Sequence, residues 1–276
     1  MSKLQKILVR ARRQVFSEMV GNNPSIFHGE GYDFIELREY MSGDDIRTID
    51  WNITAKMQRP FIKIFREEIE LNVVIVSILN GSVHFGSKKF KQESIAEAAA
   101  LLGYSTLKNG DLLSSYIFTD EIVSYSKPSK KLHQVQKNVE EILNFDAINK
   151  RVDFKFIADA LFKRLKRKSL ILVIGDYFEI PDFRVLAKKH EVVSIIVRDR
   201  LEENPPKMGF ASLVDPESAA VLEGDFNSSS VREYAKKVAI HDRKLFEKLR
   251  RDGIRFTKVY TDSITGVELR RLFEGR

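Results

Sequence analysis

Leu71-Asn72-Val73-Val74-Ile75-Val76-Ser77-Ile78-Leu79-Asn80-Gly81-Ser82 is the stretch that decides the fold. Val73–Leu79 is nearly all apolar and rich in β-branched residues. Such a run, without polar alternation, predicts a strand buried on both faces, as in a parallel sheet. A second run, Leu170–Ile174, ends at Gly175-Asp176. Between and beyond them the period changes. Ile95, Ala98, Ala99 and Leu102 recur at helical spacing within Lys89–Lys108, and Asn109-Gly110 stops that helix. Leu112–Thr119 and Glu121–Ser126 predict two strands around a tight turn at Asp120. Leu132, Val135, Val139, Ile142 and Leu143 mark one face of another helix. Asp153 is placed to cap the next, with Ile157, Ala158, Leu161 and Leu165 on its apolar side. A short helix at Phe183–Lys189, a strand at Val192–Val197 and a small hairpin around Ser212–Leu222 follow. Ser230-Val231-Arg232-Glu233 reads as a capping box opening a long helix that Gly253 closes. Phe256–Tyr260 is a last strand and Val267–Phe273 a last helix. Strands alternating with helices imply an α/β domain over residues 71–276, its mostly parallel sheet covered on both faces. Ligands of open sheets bind beyond the carboxyl ends of the strands, which singles out Leu79–Ser82 and Gly175-Asp176.

Residues 1–70 read differently. A short basic helix and a turn at Gly21-Asn22-Asn23-Pro24 precede a loop-rich, partly extended lead-in. It ends in a strand at Phe61–Arg66, where Phe61, Lys63 and Phe65 alternate. The whole chain of 276 residues carries 46 Lys and Arg against 39 Asp and Glu, and no cysteine. Without cysteine there is no disulfide scaffold, zinc ribbon or thiol nucleophile. The net charge of +7 is mild, and its basic clusters are Arg10–Arg13, Lys163–Lys168 and Lys248–Arg251. The last two fall at predicted helix ends, where cations complement the helix dipole. No nucleic-acid partner is expected from them. The longest apolar runs are far short of the roughly 18 residues a membrane span needs. No apolar stretch that reads as a signal peptide follows the basic start Met1–Lys6. The expectation is a soluble cytoplasmic protein with no membrane insertion.

Two stretches invite a chemical reading. Gly81-Ser82-Val83-His84-Phe85-Gly86-Ser87-Lys88 looks like a phosphate loop, but there Lys must follow the second Gly directly. Nucleotide binding is therefore not expected. The five histidines, His28, His84, His133, His190 and His241, lack metal-ligand spacing. There is no Gly-x-Ser-x-Gly elbow. The second stretch, Gly29 to Trp51, gathers acids, arginines and the only tryptophan of the chain. In a structural reading, Asp44 and Asp45 turn the chain after Gly43, Arg38 and Arg47 pair with nearby carboxylates, and Trp51 anchors the segment on the core. In a functional reading, the stretch is an acidic, arginine-rich docking surface. Both stay open at this point.

This stretch resembles the signature of the bacterial family called domain of unknown function 58. Gly29-Glu30-Gly31-Tyr32-Asp33-Phe34, Leu37-Arg38-Glu39-Tyr40, Gly43-Asp44-Asp45-Ile46-Arg47-Thr48-Ile49-Asp50-Trp51 and Ala55-Lys56 follow its pattern. The likeness continues through Glu67-Glu68, the strand at Val73, Asp176, and about Asp215 to Phe273. It implies a von Willebrand A-like, Rossmann-type fold. It also implies a non-enzymatic adaptor working with a MoxR-type AAA+ ATPase in the assembly or maturation of protein complexes, no catalytic activity being established for the family.

The resemblance further implies a metal-adhesion site, since the family's first strand often ends Asp-x-Ser-x-Ser. One register puts Ile78 at the Asp position, with Asn80 and Ser82 at the two serines. The other puts Asn80 at the Asp position and His84 at the second serine. Either way the first carboxylate is missing. Asp176 matches the acid of the later strand, and Ser129 is the candidate for a third, loop-borne hydroxyl. One carboxylate with neutral oxygens is a poor magnesium site. The expectation is a degenerate site of Asn80, Ser82 and Asp176 that binds a protein partner, with no cofactor beyond weak magnesium at Ser82 and Asp176. The alternative is a metal-dependent hydrolase using Asp176 with the acids between Asp44 and Asp50.

Overall fold

The computed structural model describes residues 2–17, 34–65 and 70–274. In chain order the elements are α1 (Lys3–Ser17), β1 (Phe34–Glu39), α2 (Trp51–Met57), β2 (Phe61–Phe65), β3 (Asn72–Ile78), α3 (Lys91–Lys108), β4 (Leu112–Phe118) and β5 (Ile122–Ser129). There follow α4 (His133–Asn144), α5 (Phe154–Arg164), β6 (Leu170–Gly175), α6 (Arg184–Lys189), β7 (Glu191–Arg198) and α7 (Arg200–Glu203). The chain ends with β8 (Gly209–Val214), β9 (Val221–Phe226), α8 (Ser228–Arg251), β10 (Arg255–Tyr260) and α9 (Thr265–Glu274). They divide into two compact units, residues 1–27 with 72–276, and residues 28–71.

The larger unit is built on a six-stranded sheet in the order β10-β7-β6-β3-β4-β5. All neighbours run parallel except the edge strand β5, which is antiparallel to β4. The strands wind outward in both directions from the β3–β6 pair, so the sheet is doubly wound and its switch point lies there. Val73 to Val76 are essentially inaccessible, as a strand covered on both faces must be. On one face Ile157 and Leu161 of α5, Leu186 of α6, and Leu245 and Leu249 of α8 pack with Val74, Val76, Ile171 and Val173. On the other, α3 lies against β3 and β4, and α1, α4 and α9 pack onto α3.

Ile7, Ala11 and Val15 recur every four residues along α1 and are buried. That stripe ties α1 to the α/β unit, where a boundary at residue 70 would have left it with the lead-in. The long helix α8 begins earlier than the capping box at Ser230 predicts. Asn227 accepts from the backbone N–H groups of Ser229 and Ser230, and Ser230 Oγ turns back to Asp225 and Asn227 carbonyls. Gly253, at φ +72°, ends it in the left-handed conformation that glycine favours. The hairpin β8–β9 forms its own two-stranded sheet and is exposed along most of β8.

The unit of residues 28–71 holds the antiparallel pair β1–β2, a 3-10 turn at Ile46–Thr48, and α2. The strand expected at Phe61–Arg66 is β2. A helix of seven residues is too short for an apolar period to show, so the sequence reads as a loop here. The signal present was a cap: Asp50 accepts from the backbone N–H groups of Asn52 and Ile53. Trp51, expected as an anchor on the core, is 69 % exposed, because α2 buries none of its residues and is held by its cap. The turn at Gly21–Pro24, the motif residues Gly29–Asp33 and the pair Glu67-Glu68 lie outside the described residues.

Ile157 has no exposed surface, whereas Phe210 on β8 is 78 % exposed. Ile157→Ala is expected to cost about 2–5 kcal/mol, and Phe210→Ala about 0.5 kcal/mol or less; urea denaturation of the two variants checks the difference.

Candidate functional site

The parallel pairing of β3 with β6 sets Ser77 beside Ile174, so the residues just beyond both strand ends come together. Ser82 Oγ donates to Asp176 Oδ2. Asn80 Nδ2 lies 3.5 Å from that same oxygen and donates to Glu217 Oε1 at 2.5 Å. The three expected positions, Asn80, Ser82 and Asp176, therefore meet. Ile78, which the first register would use, is buried in the core; in the second register Asn80 and Ser82 would take the first two places. His84, its third place, turns away: its Nε2 accepts from the Ala147 backbone N–H at 3.3 Å. Ser129 pairs with Leu113 at the start of β4, the opposite end of the sheet, because β5 runs antiparallel.

Sequence reasoning missed the group that organises this cluster. Lys91, the first residue of α3, has a fully buried side chain. Its Nζ is 3.2 Å from Asp176 Oδ2 and 2.5 Å from Glu202 Oε1. It also lies 5.0 Å from the centre of the Phe178 ring. The Arg198 guanidinium, equally buried, sits 3.6 Å from the same centre. Arg198 donates to the Tyr177 carbonyl and to Asp242, and Asp242 accepts from Lys258, which also reaches Glu203. Asp199 accepts from Ser87 and Thr261 and forms a reciprocal capping box with Glu202, holding α7 so that Glu202 faces Lys91. One signal was available. A lysine in the first turn of a helix opposes the helix dipole, so its placement needs another cause.

Burial alone would push the Asp176 carboxyl up; the Lys91 ammonium, the Ser82 hydroxyl and Arg198 outweigh it and hold the group below its ordinary range. Burial pushes Glu202 up in spite of Lys91. Glu217 is pushed up by burial and then by the charge of Asp176. Magnesium requires an octahedron of hard oxygens. Here the candidate donors bond to one another, and a buried ammonium already lies against the carboxylate that would bind the ion. The donor set does not fit a divalent cation. Among the described residues no group of three His, Asp or Glu side chains is placed to hold a metal.

In the smaller unit each acid of the signature stretch serves a separate turn. Arg38 Nη2 bonds Asp44 Oδ1 at 2.9 Å, while the Met41 backbone N–H donates to Asp44 Oδ2. Gly43 makes the intervening bend at φ +112°. Asp45 is gripped bidentately by Arg47, whose hydrogen bonds pull its carboxyl down to about 2. Asp50 caps α2 and pairs with Lys63 at 2.6 Å, and its carboxyl also lies low. The Tyr40 backbone N–H closes the hairpin base on the Pro60 carbonyl. Asp44, Asp45 and Asp50 are each paired with a cation of their own unit.

Strand order and this strand-end cluster define a doubly wound α/β protein whose switch-point crevice is filled by paired side chains. The chain belongs to the family described as "Protein of unknown function DUF58", which matches residues 36–244. Uncharacterized proteins of Mycobacterium tuberculosis and Mycobacterium bovis are 24 % identical to it over 267 residues, covering 94 % of this chain and 84 % of theirs. Among solved structures, the conserved hypothetical protein BatB from Bacteroides thetaiotaomicron aligns with a TM-score of 0.42 at 12 % identity, over 74 % of this chain and 98 % of its own. An aerotolerance-related membrane protein from Bacteroides fragilis gives a TM-score of 0.42 at 12 % identity, over 74 % and 97 %. Among the described residues no helix is long and apolar enough to cross a membrane.

Asp176→Asn leaves the buried Lys91 to Glu202 alone and is expected to cost about 3–5 kcal/mol at neutral pH. The folded carboxyl lies below its unfolded value of about 3.9, so its contribution is full above that value and is lost as pH falls through the lower, folded one. Urea denaturation from neutral pH downward should show the gap between the natural chain and the variant closing in that acid window.

Proposed function

We propose that this chain is a non-enzymatic adaptor that works in the cytoplasm with a MoxR-type AAA+ ATPase, in the assembly or maturation of protein complexes. The observation that carries the reading is the buried Lys91–Asp176–Glu202 network. An open sheet of this order holds its ligand at the switch point, and here that place is occupied by ionic and hydrogen-bonded side chains. The arrangement suits a shaped platform better than a reaction centre. Asp176 is the acceptor closest to Ser82, and a carboxylate held below its ordinary range is a weak base. The kind of partner rests on family resemblance, since a fold by itself names no partner. The exposed Trp51, Ile46 and Met41 support a second contact on the smaller unit. Lys91 supplies the positive charge that a metal ion would bring, so the site works without one; nucleic acid and membrane lipid have no part in this reading.

Two measurements test it. Tagged protein recovered from its native lysate should enrich an AAA+ ATPase in the presence of ATP, and Ser82→Arg should cut that recovery at least tenfold. No ATPase recovered, with ATP or without, overturns the partnership. The melting temperature should be the same in EDTA and in millimolar magnesium. An ion at a hundredfold above its Kd adds about 2.7 kcal/mol, so a rise of several degrees would overturn metal independence.

A further inference from the structure

We propose that the amino-end face of the six-stranded sheet is a docking surface for a membrane rich in anionic phospholipid. The proposal goes beyond the adaptor reading, in which lipid has no part, and stands apart from it. It concerns the end of the sheet opposite to Asp176.

Topology gathers the charge there. Each crossover helix runs back toward the start of the next parallel strand. The C-termini of α5, α6 and α8 therefore lie beside the starts of β6, β7 and β10. Those starts are nearly level: Leu170 pairs with Glu191, and Val193 with Arg255. β5 runs the other way, so its last residue, Ser129, lies beside Leu113 at the start of β4. Basic clusters that are remote in sequence thus form one row. Adjacent strands lie about 4.8 Å apart, so the row is about 24 Å across.

Helix dipoles account for only part of it. Lys163, Lys188 and Arg251 sit in last turns, where cations are favoured. Lys166, Arg167 and Lys168 lie beyond the end of α5, and Lys127 and Lys131 flank Ser129. Lys131 even precedes the N-terminus of α4, where a cation is disfavoured. The loop after α5 is held firmly. The Leu165 carbonyl accepts from Lys189 Nζ at 2.7 Å, and the Ser169 carbonyl accepts from the Glu191 backbone N–H at 3.0 Å. Leu165 and Ser169 are buried, and the three cations between them are exposed. Acids beside the row are already paired, Glu191 with Arg255 and Asp252 with Lys248. Lys127, Lys131, Lys163, Lys166, Lys168 and Lys188 meet no carboxylate among the described residues.

The make-up of the row selects the partner. Apart from Arg167 and Arg251, these exposed and unpaired cations are lysines. A lysine attracts as a point charge, whereas nucleic acid is gripped by guanidinium forks and aromatic platforms. Phe162, exposed near the end of α5, already carries the Lys189 ammonium 5.0 Å from its ring centre. The helices reach this face end-on, so none lies along it to enter a groove. Leu132, beside Lys131, is also exposed. Apolar tips scattered among lysines fit the interfacial zone of a bilayer. A level row brings its charges together to within the Debye length, about 8 Å, of a membrane plane. Each such lysine adds a factor of about five in affinity.

The test is sedimentation of the full chain with vesicles at about 0.15 M salt. Vesicles of phosphatidylcholine mixed with phosphatidylglycerol should carry the protein down, and phosphatidylcholine alone should not. The combined variant Lys163→Gln, Lys166→Gln, Lys168→Gln and Lys188→Gln should bind at least tenfold more weakly. A control, Lys6→Gln, Lys88→Gln, Lys207→Gln and Lys236→Gln, removes the same charge from exposed positions off this face and should bind as the natural chain does. No sedimentation with phosphatidylglycerol, equal sedimentation with both vesicles, or an equal loss in both variants overturns the proposal. Duplex DNA or polyglutamate, at the same concentration of anionic charge as the lipid, should leave the protein on the vesicles. Displacement by DNA would give the face to nucleic acid, and displacement by polyglutamate to an acidic protein; either overturns the membrane assignment.

Discussion

A lysine ammonium with no access to water lies between two carboxylates, and the strand-end face of the α/β unit is organised by that arrangement. Removing a charge of this kind from water costs several kcal/mol, which is recovered only when geometry and hydrogen bonding are both satisfied. Lys91 meets Asp176 from β6 and Glu202 from α7, so one side chain on α3 ties together the two elements that frame the switch point. The tie is reinforced from the side: Asp199 caps α7 and fixes Glu202, and Ser82 fixes Asp176. Each member is held by at least one other, and partial loss leaves a buried charge exposed to no compensation. Such networks specify a geometry more than they stabilise a fold.

The same interaction explains the chemistry of the face. A carboxylate committed to an ammonium and a hydroxyl is a poor general base and a poor ligand for a second cation. At the rim the Asn80 amide is engaged by Glu217 of the β8–β9 hairpin. The face is thus electrostatically closed at its base. The smaller unit follows a related logic at its surface, where Arg38, Arg47 and Lys63 are each spent on one turn of the signature stretch.

Much of the fold was legible because burial on both faces forces runs such as Val73–Leu79 and Leu170–Ile174, which no surface element would carry. Helices with four or more turns and an apolar stripe were legible for the same reason. The strand-end rule then singled out Leu79–Ser82 and Gly175-Asp176, and the family resemblance named Asn80, Ser82 and Asp176 within them. Lys91, Arg198, Glu202 and Glu217 were not found, because a charged residue carries no local mark of being buried; its partners lie far away in the chain. Lys91 and Glu202 are separated by α3, β4, β5, α4, α5, β6, α6 and β7. The short helix α2 was invisible for want of length, and Trp51 misled because a lone tryptophan suggests burial where a capping aspartate does the holding.

The buried stripe on α1 has a consequence for synthesis. Ile7, Ala11 and Val15 precede the whole signature stretch, yet the helix they pack on, α3, is made only after that stretch and the first strand of the sheet. As the chain leaves the ribosome, α1 must wait with its apolar side uncovered while residues 28–71 emerge. Closing that long loop carries an entropic cost that grows only slowly with its length, but the delay itself leaves an adhesive helix free for seconds. Arg10, Arg12 and Arg13 give the waiting helix a positive charge.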